Sequence, residues 1–356
     1  MKRVIVLFLF IFIVISIPLD SNAFRFPRRN CVPYRRVSLI YYLQLLNKIK
    51  NQPQSFQDSF VERILTKPRV KLSTVEEIIS KGYNASTHTI LSKDGYFTTV
   101  DRISGGILSP PRKGKQAVLL FHGSGGIGSN WIIQPGSRNL AFLLADAGYE
   151  VWLANGRGSS ASMKHTHLNP DRDISYWNFS FEEQEKPELN KKFKASFLLA
   201  PGTFVRSGYG LVINLGLWLT GTLLEEIVNR ILMGRFRVQP EYIITPVILD
   251  AIFGDDSQQF NHTNFRNALE KGFDNGVLRP PFHVAQNFKS CRFQRYDYGR
   301  RGNLIKYGKT QPPTYNLDGM TVPTYIFYGE SDNLVTPWVI NYIINLLCNF
   351  ANPNLS

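Results

Sequence analysis

The 356-residue sequence has few cysteines, no internal repeats and no low-complexity tract. Its three cysteines, Cys31, Cys291 and Cys348, allow at most one intrachain disulfide and leave one thiol over. The chain is therefore not a disulfide-framework protein, and the cysteine pairing stays open. The absence of repeats excludes solenoid and propeller architectures.

The hydrophobic run at the N terminus is too short for a membrane-spanning helix. Lys2 and Arg3 precede 14 apolar or small residues at 4–17, fewer than the roughly 20 that a membrane-spanning helix needs. Ser21-Asn22-Ala23 then forms a small-x-small cleavage pattern. We therefore predict a secretory signal over residues 1–23, with a membrane anchor as the alternative.

Asn-x-Ser/Thr triplets fit a secretory route, although each is weak support by itself. The candidate glycosylation sites are Asn84, Asn178 and Asn261, and a fourth triplet begins at Asn354.

Positive charge is concentrated after the predicted signal. The chain carries a net charge of +14, and residues 24–71 hold eleven Lys or Arg against Asp58 and Glu62. This net +9 leaves only +4 for residues 72–356. A basic extension can attract anionic membranes or nucleic acid. Because no nucleic-acid motif accompanies the charge, we favour a solvated leader and expect no nucleic-acid partner.

The pattern changes at Ser73, where a capping box with Glu76 predicts a short helix through Lys81 that stops at Gly82. Apolar runs at 116–121 and 149–154 enclose a helical segment at 140–147. This order predicts a parallel α/β sheet. Two further strands are predicted at residues 196–200 and 324–328.

A long stretch at 201–285 interrupts the alternation of strands and helices. Residues 209–224 are apolar with three glycines, and residues 223–232 have an amphipathic helical pattern. The stretch is interpreted either as a lid that meets lipid or as an ordinary packed helical cap. The predicted divisions are a signal at 1–23, a basic extension at 24–72, a first part of the main domain at 73–200, the cap at 201–285 and a second part at 286–356.

A series of motifs runs through residues 73–347. They include Asp94-Gly95-Tyr96, His122-Gly123 ahead of Asn130-Trp131, Asn155-x-Arg157-Gly158, Trp177-x-Phe179-Ser180, Pro187-Glu188-Leu189, His283-x-x-Gln286, Pro312-Pro313-x-Tyr315 and Asp332. Together they resemble the acid lipases, the family that includes gastric and lysosomal lipases. The resemblance implies an α/β-hydrolase fold with a helical cap, a secreted or lysosomal location, and cofactor-free hydrolysis of lipid esters. A membrane or lipid-droplet surface is a further candidate partner.

Two site residues follow from the resemblance. Ser124 occupies the position whose backbone N–H stabilises the oxyanion, and Asp332 occupies the position of the triad acid. Each residue also follows a predicted strand directly, where an ordinary polar turn is the alternative. Gly125, Gly126 and Gly128 make the Ser124 loop more flexible than is usual in the family.

The expected nucleophile is missing from this sequence. No Gly-x-Ser-x-Gly elbow occurs in it, and only residues 181–186 separate Ser180 from Pro187, where the family has a strand, the elbow and a helix. The lost unit corresponds to more than roughly 30 residues and includes a central strand and the second oxyanion donor. We therefore predict that strands 116–121 and 196–200 pair directly, or that the sheet is split.

No base follows Asp332 in the family's order, because the 24 residues after it contain no histidine. By resemblance, His283 belongs to a structural motif. Ser124, Ser160 and Ser162 are alternative nucleophiles, but none has an identifiable base. His165 and His167 lack a third ligand at metal-binding spacing, so no metal site is assigned.

The sequence thus predicts an acid-lipase-like ester hydrolase of neutral lipids that is catalytically impaired or inactive in this chain. The alternatives are a secreted, non-catalytic lipid-binding or interaction protein and, on charge alone, a nucleic-acid-binding protein. A deletion of this kind also arises in alternative splice products and in faulty gene models.

Overall fold

The computed structural model describes residues 73–134, 139–180, 191–202, 220, 223–237, 274–290, 292–315, 321–330 and, with gaps, 332–344. The predicted signal and basic extension, Asn261, all three cysteines, residues 181–186 and most of the predicted cap lie outside these residues. Contacts divide the chain into two compact units. The N-terminal unit comprises the described residues up to 180 together with those in 223–283, and the C-terminal unit comprises the remainder.

The described residues contain five α-helices and nine strands. In order they are α1 (Thr74–Ser80), β1 (Asn84–Leu91), β2 (Tyr96–Gly105), β3 (Ala117–Phe121), α2 (Leu140–Asp146), β4 (Glu150–Ala154), β5 (Lys164–His165), β6 (Ser196–Leu199), α3 (Leu223–Ile231), β7 (Arg235–Arg237), β8 (Asn275–Val277), α4 (Arg279–Ser290), α5 (Gly299–Tyr307) and β9 (Thr324–Phe327). Short 3₁₀ segments occupy Gly128–Ile132 and Ile174–Trp177.

The predicted capping box is confirmed at the start of α1. The Ser73 hydroxyl accepts the Glu76 N–H, and the Glu76 carboxylate accepts the Ser73 N–H at 2.7 Å. Gly82 has a φ of +86°, a left-handed conformation that suits glycine after a helix end. Local chemistry therefore fixes both ends of this helix.

The main sheet of the N-terminal unit has the order β1-β2-β4-β3, and β5 pairs with β2. The β3–β4 pair is parallel, with Val118 opposite Val151. This pair and α2 confirm the predicted α/β unit, each bound within one residue of the prediction. The antiparallel β1–β2 hairpin was not predicted, because β1 has an almost wholly exposed surface and no hydrophobic alternation.

A hydrophobic core lies between this sheet and the two helices α1 and α2. Its buried members are Ile78, Ile103, Leu120, Ile132, Ala141, Phe142, Ala145, Val151 and Leu153. β4 lies between β2 and β3 and contributes Val151 and Leu153, both fully buried. This central strand is therefore the best-buried strand near the predicted site.

The C-terminal unit contains a two-stranded parallel sheet in which Ser196 lies opposite Thr324. The predicted strands at 196–200 and 324–328 are thus confirmed, each one residue shorter. A separate core holds this unit together, with Phe293 and Ile326 packed against it. Its buried members are Val335, Val339, Ile340 and Ile343.

Each unit contains a parallel strand pair of its own, β3 with β4 in the N-terminal unit and β6 with β9 in the C-terminal unit. Direct pairing of β3 with β6, or a split sheet, stays a prediction. Parallel sheets normally bury both faces under helices. Here alternate apolar side chains of these strands are exposed: Leu119, Phe121, Phe197, Leu199, Tyr325 and Phe327.

No described helix combines the length and the apolar character that a membrane span requires.

Candidate active site

The loop after β3 is fixed by His122. Its Nδ1 lies 2.7 Å from the Gly123 carbonyl, and its Nε2 accepts the Gly156 N–H at 2.9 Å. These contacts select the neutral imidazole that carries its proton on Nδ1. Burial lowers the pKa of His122 below its ordinary 6.5, although the Asp274 carboxylate acts in the opposite direction. His122 therefore ties the carboxyl end of β3 to the turn that follows β4.

Ser124 lies in an exposed turn immediately beyond His122. The Gly126 N–H closes the turn on the Gly123 carbonyl at 3.1 Å, and Gly125 has a φ of +74°. Within the described chain, no acceptor contacts the Ser124 N–H. A backbone donor at a strand end is available to a ligand here, as an oxyanion role requires.

The Ser124 turn is anchored from the opposite side by Asp274. The Asp274 N–H donates to the Gly125 carbonyl at 2.8 Å, and its carboxylate accepts the Ser160 N–H at 2.6 Å. The predicted flexibility of this glycine-rich loop is therefore limited by contacts that the sequence does not reveal.

A buried polar network supports the same strand ends. Asn155 donates to Asp101 and Thr99 at 3.1 Å each, and it accepts the Gly128 N–H at 2.9 Å. Ser162 donates to the Asn155 carbonyl at 3.0 Å and is 1% exposed. Ser162 is thus committed to the interior, which argues against its role as an alternative nucleophile.

Asp332 follows β9 in the C-terminal unit, near the carboxyl end of that strand. Its carboxylate accepts the Val335 N–H at 2.8 Å, and its own N–H donates to the Gly329 carbonyl at 3.3 Å. The position after a parallel strand fits an acid that orients a histidine. The described structure places Ser124 in one unit and Asp332 in the other.

Two serine–histidine pairs occur in the described chain that the sequence analysis did not identify. In the first, Ser86 Oγ lies 3.1 Å from Nε2 of His88 on the exposed strand β1. In the second, the Ser180 hydroxyl lies 2.8 Å from Nδ1 of His283, within the distance of a nucleophile and its base. However, His283 is fully buried and Ser180 is 9% exposed, so a lipid ester has little access to either. The burial of His283 agrees with the structural role inferred from the resemblance.

The His165 ring is occupied by backbone groups. Nδ1 accepts the N–H groups of His167 and Leu168 at 3.0 Å each, and Nε2 lies 2.9 Å from the Asp94 carbonyl. Across the described residues, no group of three or more metal-ligating side chains occurs. The hydrogen bonds of His165 therefore stabilise the local backbone turn.

Two of the candidate glycosylation sites can be located. Asn84 is exposed at the start of β1. Asn178 is also exposed, but its side-chain carbonyl and backbone carbonyl both accept from Arg279. The Ser180 of its triplet is buried against His283. The two sites therefore differ in how freely the folded surface presents them.

Comparison with known proteins gives relatives of one kind. Residues 74–135 match the partial alpha/beta-hydrolase lipase region. Human lipase member K is 30% identical over 78% of this chain and 82% of its own length. Bovine gastric triacylglycerol lipase is 27% identical, over 82% of this chain and 86% of that protein.

Lysosomal acid lipase/cholesteryl ester hydrolase from Macaca fascicularis is 28% identical over 78% of this chain and 82% of that protein. A solved alpha/beta hydrolase from Novosphingobium aromaticivorans has a TM-score of 0.34 at 13% identity, covering 74% of this chain and 87% of the other. The sequence relatives confirm the expected fold class, an α/β-hydrolase fold. The chain belongs to the acid lipase family.

Proposed function

We propose that this chain descends from a secreted or lysosomal hydrolase of neutral-lipid esters and that it is itself catalytically impaired. In this proposal Ser124 retains the first oxyanion position and Asp332 retains the position of the triad acid. The proposal rests on the short segment between Ser180 and Pro187, which lies in the middle of the sequence. Between Ser180 and Pro187 there are only six residues and no Gly-x-Ser-x-Gly elbow.

The alignment with relatives supports an internal loss. The comparison with bovine gastric triacylglycerol lipase extends over 344 positions, whereas 82% of 356 residues is about 292. About 50 aligned positions therefore have no residue in this chain. This number is compatible with the loss of a strand, the elbow and a helix, which together need more than roughly 30 residues.

The strands before and after residues 181–186, where the expected elbow is absent, give further support. β3 precedes the gap and β6 follows it, and each exposes alternate leucine and phenylalanine side chains that a complete parallel sheet would cover. The loss of a strand and its helix accounts for this exposure at both places.

Ester turnover by the purified chain tests the proposal, with human lipase member K as the reference. Loss of the triad serine costs roughly a millionfold in kcat. We therefore expect fluorogenic ester hydrolysis to be lower by about that factor, with no serine-directed fluorophosphonate adduct. A stoichiometric adduct or turnover within about 100-fold of the reference would refute the proposal.

Ser180 provides a matched control for any residual activity. If the buried pair is structural, Ser180→Ala leaves the residual rate of the folded protein within about twofold. A Ser180→Ala chain that retains its circular dichroism but loses a measurable rate would identify Ser180 as a nucleophile. Sequencing the transcript separately tests whether an elbow-coding segment is spliced out.

Passage through the secretory pathway is the second part of the proposal. We expect Asn84 to carry a glycan in secreted material because its side chain is exposed at a strand start. Asn178 should be modified less fully, because Arg279 holds its side-chain carbonyl. Peptide mapping after glycosidase treatment measures both occupancies, and unmodified Asn84 in secreted protein would contradict the first expectation.

A further inference from the structure

Among the described residues, one side of helix α5 is anchored by hydrogen bonds. Asn303 is 1% exposed, and its side chain donates to Asp297 at 2.8 Å and to the Thr310 carbonyl at 3.2 Å. The Tyr307 hydroxyl donates to the Tyr296 carbonyl at 2.9 Å. These contacts leave the opposite side of the helix facing solvent.

Both ends of α5 are also fixed. The Asp297 carboxylate accepts the Gly299 N–H at 2.8 Å. At the other end, Gly308 has a φ of +68°, and its N–H donates to the Leu304 carbonyl at 3.0 Å. The helix therefore presents its outer side chains from a defined backbone rather than from a fraying segment.

The outer side of α5 combines apolar and cationic side chains. Ile305 is 82% exposed and Leu304 is 48% exposed. We call this surface the basic face of α5. It consists of exposed residues of the helix and the exposed lysine just after its C-terminal Gly308: Arg300, Arg301, Leu304, Ile305, Lys306 and Lys309.

The charge of this segment is unusually one-sided. Residues 292–309 contain six Lys or Arg and one acid, a net +5, although all of residues 72–356 carry only +4. The single acid, Asp297, directs a carboxylate oxygen towards Gly299 and Asn303. None of the ion pairs in the described part of the chain includes a cation of the basic face.

Exposed branched apolar side chains surrounded by cations match one kind of partner well. A helix that lies on a membrane inserts apolar side chains into the headgroup boundary while Lys and Arg contact lipid phosphates and carboxylates. Nucleic acid would use the cations but would leave Ile305 and Leu304 without a contact, since stacking on bases requires aromatic or guanidinium planes.

We propose that the basic face of α5 docks the protein on anionic phospholipid surfaces. The cations provide the attraction, and Ile305 and Leu304 enter the interface. The proposal concerns the C-terminal unit alone and is independent of whether the chain hydrolyses esters.

Vesicle binding by the full chain tests this proposal. We compare phosphatidylcholine vesicles with and without phosphatidylserine, using cosedimentation. Wild-type protein is expected to bind the anionic vesicles. Arg301→Gln with Lys306→Gln should weaken that binding about 30-fold, because each cation near the membrane contributes about a fivefold factor. Ile305→Ser should weaken it by about tenfold.

Matched variants separate this surface from general charge and general hydrophobicity. Lys81→Gln with Lys93→Gln removes the same charge from other exposed positions. Ile79→Ser removes an exposed isoleucine from α1, whose first turn is acidic. Both controls should bind like the wild type, and circular dichroism should show that every variant is folded.

Three results would overturn the proposal. The first is no binding of the wild type to anionic vesicles. The second is equal weakening by the control variants. The third is unchanged binding of the α5 variants while replacement of Arg28, Arg29, Arg35 and Arg36 by Gln abolishes it, which would assign docking to the N-terminal extension. If DNA bound with the same dependence on Arg301 and Lys306 but vesicles did not bind, the occupant would be nucleic acid and the proposal would be wrong.

Discussion

Strand β4 differs sharply from strands β6 and β9 in how well other elements cover its side chains. β4 contributes Val151 and Leu153, both fully buried, to a core with helices α1 and α2. In β6 and β9, by contrast, every second side chain is exposed, including Phe197 at 63% and Leu199 at 53%. All three strands are apolar and each has a parallel neighbour, so sequence composition does not explain the difference.

The strands differ in how many strands and helices lie next to them. β4 has a strand on each side and a helical layer, whereas among the described residues β6 has only β9 beside it. An apolar strand is stable in water only when other elements remove its side chains from solvent. The contrast teaches that the number of neighbouring strands and helices, more than the composition of a strand, decides how well its apolar side chains are covered.

The largest expected effect is on the free energy of unfolding, and it is tested by the same Leu→Ala change in β4 and in β6. Leu153→Ala should lower the free energy of unfolding by about 2 to 5 kcal/mol, because it leaves a cavity in a fully packed core. Leu199→Ala should cost less than about 1 kcal/mol, since much of that side chain is already in water. Urea unfolding of the two variants measures the difference. Equal costs would show that Leu199 is covered in solution.

The next effect concerns the polar support of the better-covered sheet. Asn155→Ala removes the acceptor for the Gly128 N–H and a donor to the Asp101 carboxylate. A buried polar group left without a partner costs about 1 to 3 kcal/mol. Chemical denaturation should show this loss, and Asn84→Ala at the exposed start of β1 is the control. A loss no larger than that of the control would mean that water replaces the amide.

A smaller effect is expected at the exposed aromatic pair of the second sheet. The rings of Phe197 and Tyr325 are stacked with centroids 5.1 Å apart. Such a pair contributes about 0.5 to 1.5 kcal/mol beyond its area. A double-mutant cycle with Phe197→Ala and Tyr325→Ala measures the coupling. A coupling of zero would show that the ring contact does not stabilise the pairing of β6 with β9.

The smallest expected effect is a dependence of stability on pH. Because burial lowers the pKa of His122, the unfolded chain binds a proton more readily than the folded chain. The stabilisation is complete above pH 6.5 and is lost as the pH falls towards the folded pKa. His122→Gln should therefore flatten the change in urea midpoint between pH 7 and pH 5.

The wild-type chain in the same buffers provides the comparison for that experiment. An unchanged slope in the His122 variant would show that other groups cause the acid sensitivity.

Local patterns predicted several elements correctly. Ser73 and Glu76 specify a helix start by short-range hydrogen bonds, and the short apolar run that contains Val151, placed after a helical segment, favours a buried strand. Direct pairing of β3 with β6, or a split sheet, is inferred from the order of motifs and stays a prediction. These features depend on residues close together in the sequence or on the order of motifs along the chain in the acid lipase family.

Long-range partners could not be predicted in the same way. Nothing near Ser180 in the sequence indicates that it contacts His283, and nothing near Gly125 indicates Asp274. Each contact joins residues more than one hundred positions apart, so only the three-dimensional fold brings them together. The hairpin of β1 and β2 was missed because a polar strand at a sheet edge lacks a hydrophobic period.

The contact between Ser180 and His283 has a practical consequence for an attempt to graft the nucleophile elbow of a relative into this chain. Ser180 directly precedes residues 181–186, which stand where the family has the elbow, and its hydroxyl contacts the buried His283 of helix α4. A graft of the corresponding strand, elbow and helix from a relative would therefore have a rigid attachment point if it began at residue 181. The molecule itself thus marks where a chimaera should be joined.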